Sequence, residues 1–172
     1  MKMTTRLWAE LHDLFDTDDG SLPEVRVAYS DPKATIAGYN LLRKRASRIV
    51  TDNPSFWSKT EKEERPVDSV LNAAVLVVSG EAEAFHLVLG GIQLGGGAIP
   101  DIGVFVFPDQ LCLDYRMGTA WGPHELEAFF ALLAELTALD PQASVSLEEG
   151  VLAEIADRFQ QVWHRWVAAH AA

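Results

Sequence analysis

The sequence predicts an α+β fold, in which a mainly antiparallel sheet of about five strands carries packed helices from the N-terminal and C-terminal parts of the chain. Two observations support this prediction. Apolar residues recur at helical spacing near both ends of the sequence, whereas its middle holds runs that are continuously apolar or alternate at period two. These strand-like runs follow one another without intervening helices, which is typical of antiparallel sheets.

The first part of the chain predicts two helices on either side of a short strand. Thr4 or Thr5 is expected to cap a first helix that extends to Phe15. Residues 22–29 follow an Asp-Asp-Gly turn signal and predict a strand. A second helix is expected to begin at Pro32 and to carry its apolar face as far as Val50. The polar stretch that follows, up to Arg65, has only two large apolar residues and no assigned element.

The middle of the chain predicts the rest of the sheet. Residues 70–78 are a valine-rich apolar run, which predicts a buried strand. Residues 84–89 alternate at period two and predict a second strand, and residues 104–107 and 111–115 predict a hairpin. The glycine-rich stretch 90–97 between them is expected to be a flexible connection or a bulged strand end.

Two helices are predicted at the C-terminal end. Pro123 is expected to open the first of them, with an apolar face that includes Phe129 and Phe130. Ser146 and Glu149 match a capping box, which predicts the start of a final helix immediately behind them.

Composition and length restrict the class of protein. The chain has 172 residues, the size of one ordinary domain, and we expect residues 1–172 to form a single α+β domain. Its 48% hydrophobic and 23% charged content is close to the average for soluble proteins and excludes a disordered or fibrous chain. The one cysteine, Cys112, excludes an internal disulfide and a cysteine-based zinc site. No secretory signal or long apolar run is apparent, so we expect a cytoplasmic protein without a membrane role.

Charge is divided unevenly along the sequence. The net charge is −11, and residues 1–66 contribute none of it because their eleven basic and eleven acidic residues cancel. Such an acidic chain is repelled by phosphate backbones, which argues against a nucleic-acid partner. The excess in residues 67–172 is either a solubilising surface or a surface that complements a basic protein partner. The one basic cluster, Arg43 to Arg48, is expected on a solvent-exposed helix face near the helix C-terminus.

The sequence contains no motif that indicates a particular reaction or cofactor. The glycine-rich stretch lacks the Gly-Lys-Ser/Thr of a phosphate-binding loop and contains no G-x-G-x-x-G. The five histidines include no pair at helical metal-binding spacing, and no nucleophile elbow is present. We therefore expect no cofactor and no metal, and the sequence favours a role without catalysis.

One group of residues offers a chemical site. If Leu87 faces the core, strand alternation places His86 on the opposite sheet face, and the same argument puts Asp114 and Arg116 there. Such a group can act as an acid–base pair beside an arginine that holds an anionic substrate. The competing interpretation, which the sequence favours, is a cross-strand ion pair on a partly exposed face.

Tryptophans suggest two interaction surfaces. Trp121 lies in a predicted loop with two glycines, where we expect an exposed anchor for a protein partner. Trp163 and Trp166 lie three residues apart on the final helix, which predicts either core positions or a contact between copies of the chain in a homo-oligomer.

The stretch Ile99 to Phe107, which leads into Leu113 to Gly118, resembles the small acidic cytoplasmic immunity proteins of bacterial polymorphic toxin systems. The acidic α+β character and the lack of a catalytic motif are similar as well. This resemblance implies a protein that binds and blocks a cognate toxin.

Our leading hypothesis is therefore a protein-binding module, an inhibitor that contacts a basic partner through an acidic surface. The alternative is a small-molecule-binding domain or an enzyme that uses the His86 group. The expected contact residues are the following: Asp101, Asp109, Asp114, Arg116 and Trp121.

Overall fold

The α+β prediction is confirmed by a computed structural model, which describes residues 2–171. Its main sheet has six strands, one more than expected, in the order β10-β1-β9-β8-β5-β2, and every pairing in it is antiparallel. Two further two-stranded hairpins lie outside this sheet. No helix within residues 2–171 is long and apolar enough to cross a membrane.

The strands of the main sheet are β1 (Glu24–Ala28), β2 (Arg48–Ile49), β5 (Phe85–Gly90), β8 (Ile102–Val106), β9 (Gln110–Tyr115) and β10 (Ser144–Leu147). One hairpin consists of β3 (Ser55–Ser58) and β4 (Glu63–Pro66), and the other of β6 (Ile92–Leu94) and β7 (Gly97–Ile99). The helices are α1 (Met3–Leu11), α2 (Asp13–Asp16), α3 (Pro32–Arg45), α4 (Ala73–Ser79), α5 (Pro123–Thr137) and α6 (Ala153–His170), with a short 3-10 turn at Val67–Ser69.

The helices pack on one face of the main sheet. Leu87 and Leu113 are fully buried on this face, where α3 packs on β9 and α5 packs on β1 and β10. The predicted apolar side of α5, including Phe129 and Phe130, is buried as well. The alternate residues His86 and Asp114 point the other way and keep part of their surface exposed. The second face of the sheet is therefore not covered by the helices.

The predicted strand over residues 70–78 is wrong, because most of this run forms helix α4. The Asn72 side chain accepts a hydrogen bond of 2.9 Å from the main-chain N–H of Ala74 and caps the helix. Gly80 ends it in the left-handed conformation, with φ of 84°. Both signals are local, but a continuous apolar run does not by itself distinguish a buried strand from a short buried helix.

Three boundaries near the N-terminus also differ from the prediction. Lys2, and neither threonine, precedes α1, and the first helix is divided at His12 into α1 and α2. Helix α3 begins as expected, since Asp31 accepts a 2.9 Å hydrogen bond from Lys33 N, but it ends at Arg45. The residues beyond it leave the helix and add the short edge strand β2 to the sheet.

The predicted capping box at Ser146 is wrong as well. Residues 144–147 form β10, which pairs with β1, and α6 begins only at Ala153. The glycine-rich stretch likewise forms a defined hairpin instead of a flexible connection. Gly95 and Gly96 occupy its turn with positive φ values of 56° and 85°, a conformation that glycine adopts without strain.

Candidate functional site

His86 and Asp114 form a side-chain pair that spans three strands of the sheet. His86 lies on β5 and Asp114 on β9, and β8 runs between them. The residue of β8 at the crossing point is Gly103, and a methyl group there would overlap both the carboxylate and the imidazole ring. Because glycine leaves this space free, His86 Nε2 and Asp114 Oδ2 approach to 2.7 Å.

The carboxylate changes the acid–base behaviour of the histidine. The hydrogen bond to Asp114 raises the pKa of His86 above its ordinary value, although partial burial acts in the opposite direction. The imidazole also lies against the Phe105 ring, at 5.6 Å between centroids. This pair has the composition of an acid–base dyad and, equally, that of a cross-strand ion pair.

Arg116 lies near this pair in one open groove of about 840 Å³. Its side chain is exposed and, within residues 2–171, forms no ion pair. Asp101 lines the groove too, but its Oδ1 accepts a hydrogen bond of 3.0 Å from Arg48. The structure therefore brings four predicted site residues, His86, Asp101, Asp114 and Arg116, to the same groove.

The other two predicted contact residues are elsewhere. Trp121 is only 4% exposed, so the expectation of an exposed anchor is wrong. Its ring packs against Phe15, Tyr115 and Phe129, and its Nε1 donates to the main-chain oxygen of Arg116 at 3.0 Å. Asp109 is exposed in the turn between β8 and β9, at the end of the hairpin opposite Asp114.

The two tryptophans of the final helix occupy core positions, which was one of the two predictions for them. Trp163 and Trp166 are 6% and 7% exposed and pack around Phe130. Their burial in one copy of the chain leaves little surface for the contact between copies that was the other expectation.

Folding redistributes the charge that the sequence separates into two segments. Arg43 binds both carboxylate oxygens of Asp68, at 2.8 and 2.9 Å, and thereby lowers the pKa of that carboxyl group. Arg45 donates to both carboxylate oxygens of Glu135, and Arg48 donates to one carboxylate oxygen of Asp101. Three cations of the basic cluster are thus matched with acids of the C-terminal segment, so the surface charge cannot be read from the sequence segments.

A second concave site carries unmatched negative charge, and we call it the acid-rimmed pocket. It lies between the start of β1, the end of β10 and the first turns of α6, with a volume of about 290 Å³. Four carboxylates line it, and among residues 2–171 no basic residue belongs to its lining. Its lining includes Asp13, Asp19, Glu24, Leu147, Glu148, Val151, Leu152 and Ile155.

The rim is only partly neutralised by neighbouring arginines. Arg158 holds both oxygens of Asp13, at 2.9 and 2.8 Å, and Arg26 lies 3.3 Å from a carboxylate oxygen of Glu24. Glu148 forms no ion pair within residues 2–171, and its main-chain N–H donates to the Glu24 main-chain oxygen at 3.1 Å. The main chain that carries the unmatched carboxylate is therefore held beside the main chain of Glu24.

Sequence reasoning missed this pocket because it assigned Glu148 to a helix cap. The signal that was present is the period-two alternation of Ser144 to Leu147, which is typical of a strand and would have moved the helix start further along the chain. Pairing of this strand with β1 is what brings Glu24 and Glu148 together.

Comparison with known proteins identifies no relative: no family model matches the chain, and neither a curated protein nor a solved structure matches it. Within residues 2–171, no three histidine, cysteine, aspartate or glutamate side chains are grouped as metal ligands would be.

Proposed function

We propose that this protein is a protein-binding module that recognises a basic protein partner, acting as an inhibitor of the immunity type. The observation that supports this proposal is the acid-rimmed pocket, whose lining holds four carboxylates and no basic side chain. An acidic surface of this kind attracts a basic protein over distance and raises its association rate.

The apolar part of the same site supports tight contact once the partner has arrived. Leu152 is 63% exposed at the edge of the pocket, and Leu147 and Ile155 continue the apolar surface inward. Apolar contact surrounded by charged groups is the usual anatomy of a protein–protein interface. When the partner binds at this site, the negatively charged pocket of this protein would cover a basic cleft of the partner.

The experiment is capture of partners by the tagged protein at low and high salt, followed by mass spectrometry. The decisive variant is Glu148→Lys with Asp19→Lys, which reverses two charges at the rim. The matched control is Glu63→Lys with Glu81→Lys, two exposed acids away from the pocket that give the same change in net charge.

We expect the original protein to capture one basic protein in stoichiometric amount and to release it at high salt. The control variant should capture the same partner, and the rim variant should not. If the rim variant captures it as well as the original protein does, the pocket is not the contact surface. Equal loss from both variants would indicate non-specific attraction and contradict the proposal.

A second candidate function follows from the His86–Asp114 pair, because the alternative of a small-molecule site required these side chains to come together and they do. Arg116 lines the same groove without an ion-pair partner within residues 2–171 and is suited to hold a carboxylate. We would screen small mono- and dicarboxylates for thermal stabilisation. Thermal stabilisation that disappears in Arg116→Ala would support this second function. If no compound stabilises the protein, this function is contradicted.

A further inference from the structure

The shape and the charge of the acid-rimmed pocket together define the chemistry of an occupant. One wall is apolar and consists of Leu147, Val151 and Ile155, with Leu152 at the edge. The same lining contains four carboxylates. A ligand that matches both features has a long apolar stem and a cationic end, which is the construction of an arginine or lysine side chain.

The size of the pocket is compatible with a single side chain. Its volume of about 290 Å³ lies just below the range of about 300–1,000 Å³ that is usual for pockets holding drug-sized ligands and cofactors. One extended side chain can enter such a space.

The arrangement of carboxylates favours a guanidinium over an ammonium group. The acids come from different elements, with Asp19 before β1, Glu24 on β1 and Glu148 after β10, so they approach the pocket from several directions. A guanidinium offers five N–H donors in one plane and is more weakly hydrated than an ammonium ion. It can therefore contact two of these acids while its stem stays on the apolar wall.

We propose that the acid-rimmed pocket binds the side chain of an arginine residue of the basic partner, with the guanidinium at Glu148 and the aliphatic stem against Leu147 and Ile155. This inference rests on the proposed function and specifies the type of partner residue, an arginine, that the pocket binds. Arginine is also among the residue types that most often dominate binding energy at protein interfaces.

The test uses a probe instead of the partner, so that it is independent of the capture experiment. The full chain, labelled with ¹⁵N, is titrated with N-acetyl-arginine amide and followed by NMR. We expect saturable shifts confined to the pocket residues, with a dissociation constant on the order of 1 mM, as befits a ligand of this size.

Three matched probes separate the contributions of charge, shape and stem. N-acetyl-citrulline amide keeps the shape of arginine without the charge, N-acetyl-norleucine amide keeps only an apolar stem, and N-acetyl-lysine amide exchanges the cationic group. We expect the first two to bind about tenfold more weakly, because a charge-assisted hydrogen bond is lost. Equal binding by citrulline, or equal or tighter binding by lysine, overturns the inference.

Two variants with matched controls locate the binding. Glu148→Gln removes the rim charge and Leu152→Ser removes exposed apolar wall, and we expect each to weaken arginine binding severalfold. Their controls are Glu63→Gln and Leu71→Ser, at exposed positions outside the pocket, which are expected to bind as the original protein does.

The two proposals can fail separately. Shifts centred on the His86 groove, or no saturable shifts at all, overturn the arginine pocket and leave the capture result unaffected. Specific arginine binding combined with failure to capture any basic protein would instead contradict the proposed function.

Discussion

His86 and Asp114 lie on strands that are not neighbours, and their side chains meet at 2.7 Å across Gly103 of the strand between them. The pair therefore depends on a residue that contributes no side chain of its own. This arrangement makes the contact sensitive to the smallest possible substitution at a position that is itself buried.

Gly103→Ala is expected to break the pair. The added methyl group overlaps the Asp114 carboxylate and the His86 ring, so one of them must move, at a cost of about 1–3 kcal/mol in the free energy of unfolding. Urea denaturation measures this loss. In an Asp114→Ala background the same substitution should cost less, since part of the overlap is gone. Equal costs in both backgrounds would contradict the role assigned to Gly103.

Stability is expected to fall as the pH rises above about 6.5. The bond to Asp114 raises the pKa of His86 above 6.5, so the protonated ring is favoured in the folded state. This contribution is fully present below about pH 6.5 and is lost as the pH rises through the folded-state pKa. The effect should remain below about 1 kcal/mol, because the pair is partly exposed.

Two measurements check this pH dependence. Urea denaturation at a series of pH values should show the decline in the original protein and a weaker decline in Asp114→Asn. NMR titration of the His86 ring should give a pKa that falls in the same variant. A His86 pKa unchanged by Asp114→Asn would show that the carboxylate is not the cause.

Trp121→Ala is expected to destabilise the fold and not merely to weaken an interface. The ring is 4% exposed and packs on three aromatic side chains, so its removal should cost about 3–5 kcal/mol. Trp57, which is 39% exposed, provides the matched control, and Trp57→Ala should cost less than about 1 kcal/mol. Similar costs in urea denaturation would argue against the buried position of Trp121.

Cys112 is expected to react slowly with thiol reagents in the folded protein. Burial raises the pKa of this thiol to about 12, and the nearby Glu24 carboxylate acts in the same direction. At about pH 8 the labelling rate should be more than about a hundredfold below that of an ordinary cysteine, whose pKa is near 8.5. Labelling by iodoacetamide in urea, where the chain is unfolded, is the control. Rapid labelling without urea would contradict the buried position.

Strand alternation was the most informative signal in the sequence. It predicted that Leu87 and Leu113 face the core while His86 and Asp114 lie on the opposite sheet face, and in the structure the two leucines are fully buried while His86 and Asp114 are partly exposed. The reason is physical: successive side chains of a strand point to opposite faces, so one buried position determines its neighbours.

Continuous apolar runs and cap-like sequences were less informative. The run at residues 70–78 contains no periodicity that separates strand from helix, and the structure forms α4 there. At Ser146 the sequence has the residue types of a helix cap, but in the structure this segment pairs with β1 as a strand. In both cases the choice depends on contacts with residues far away along the chain.

The sequence by itself determined the fold class, the buried positions Leu87 and Leu113 of two strands and the acidic character of the protein, because these follow from composition and from the spacing of near neighbours. The tertiary structure alone decided which charges remain unmatched. Arg48 neutralises Asp101, whereas Glu148 is left beside Glu24, and both outcomes depend on pairing between strands distant in the sequence. Coulomb interactions depend on distance in space and are screened beyond a Debye length of about 8 Å at physiological salt, so a charge count along the chain cannot place an acidic surface.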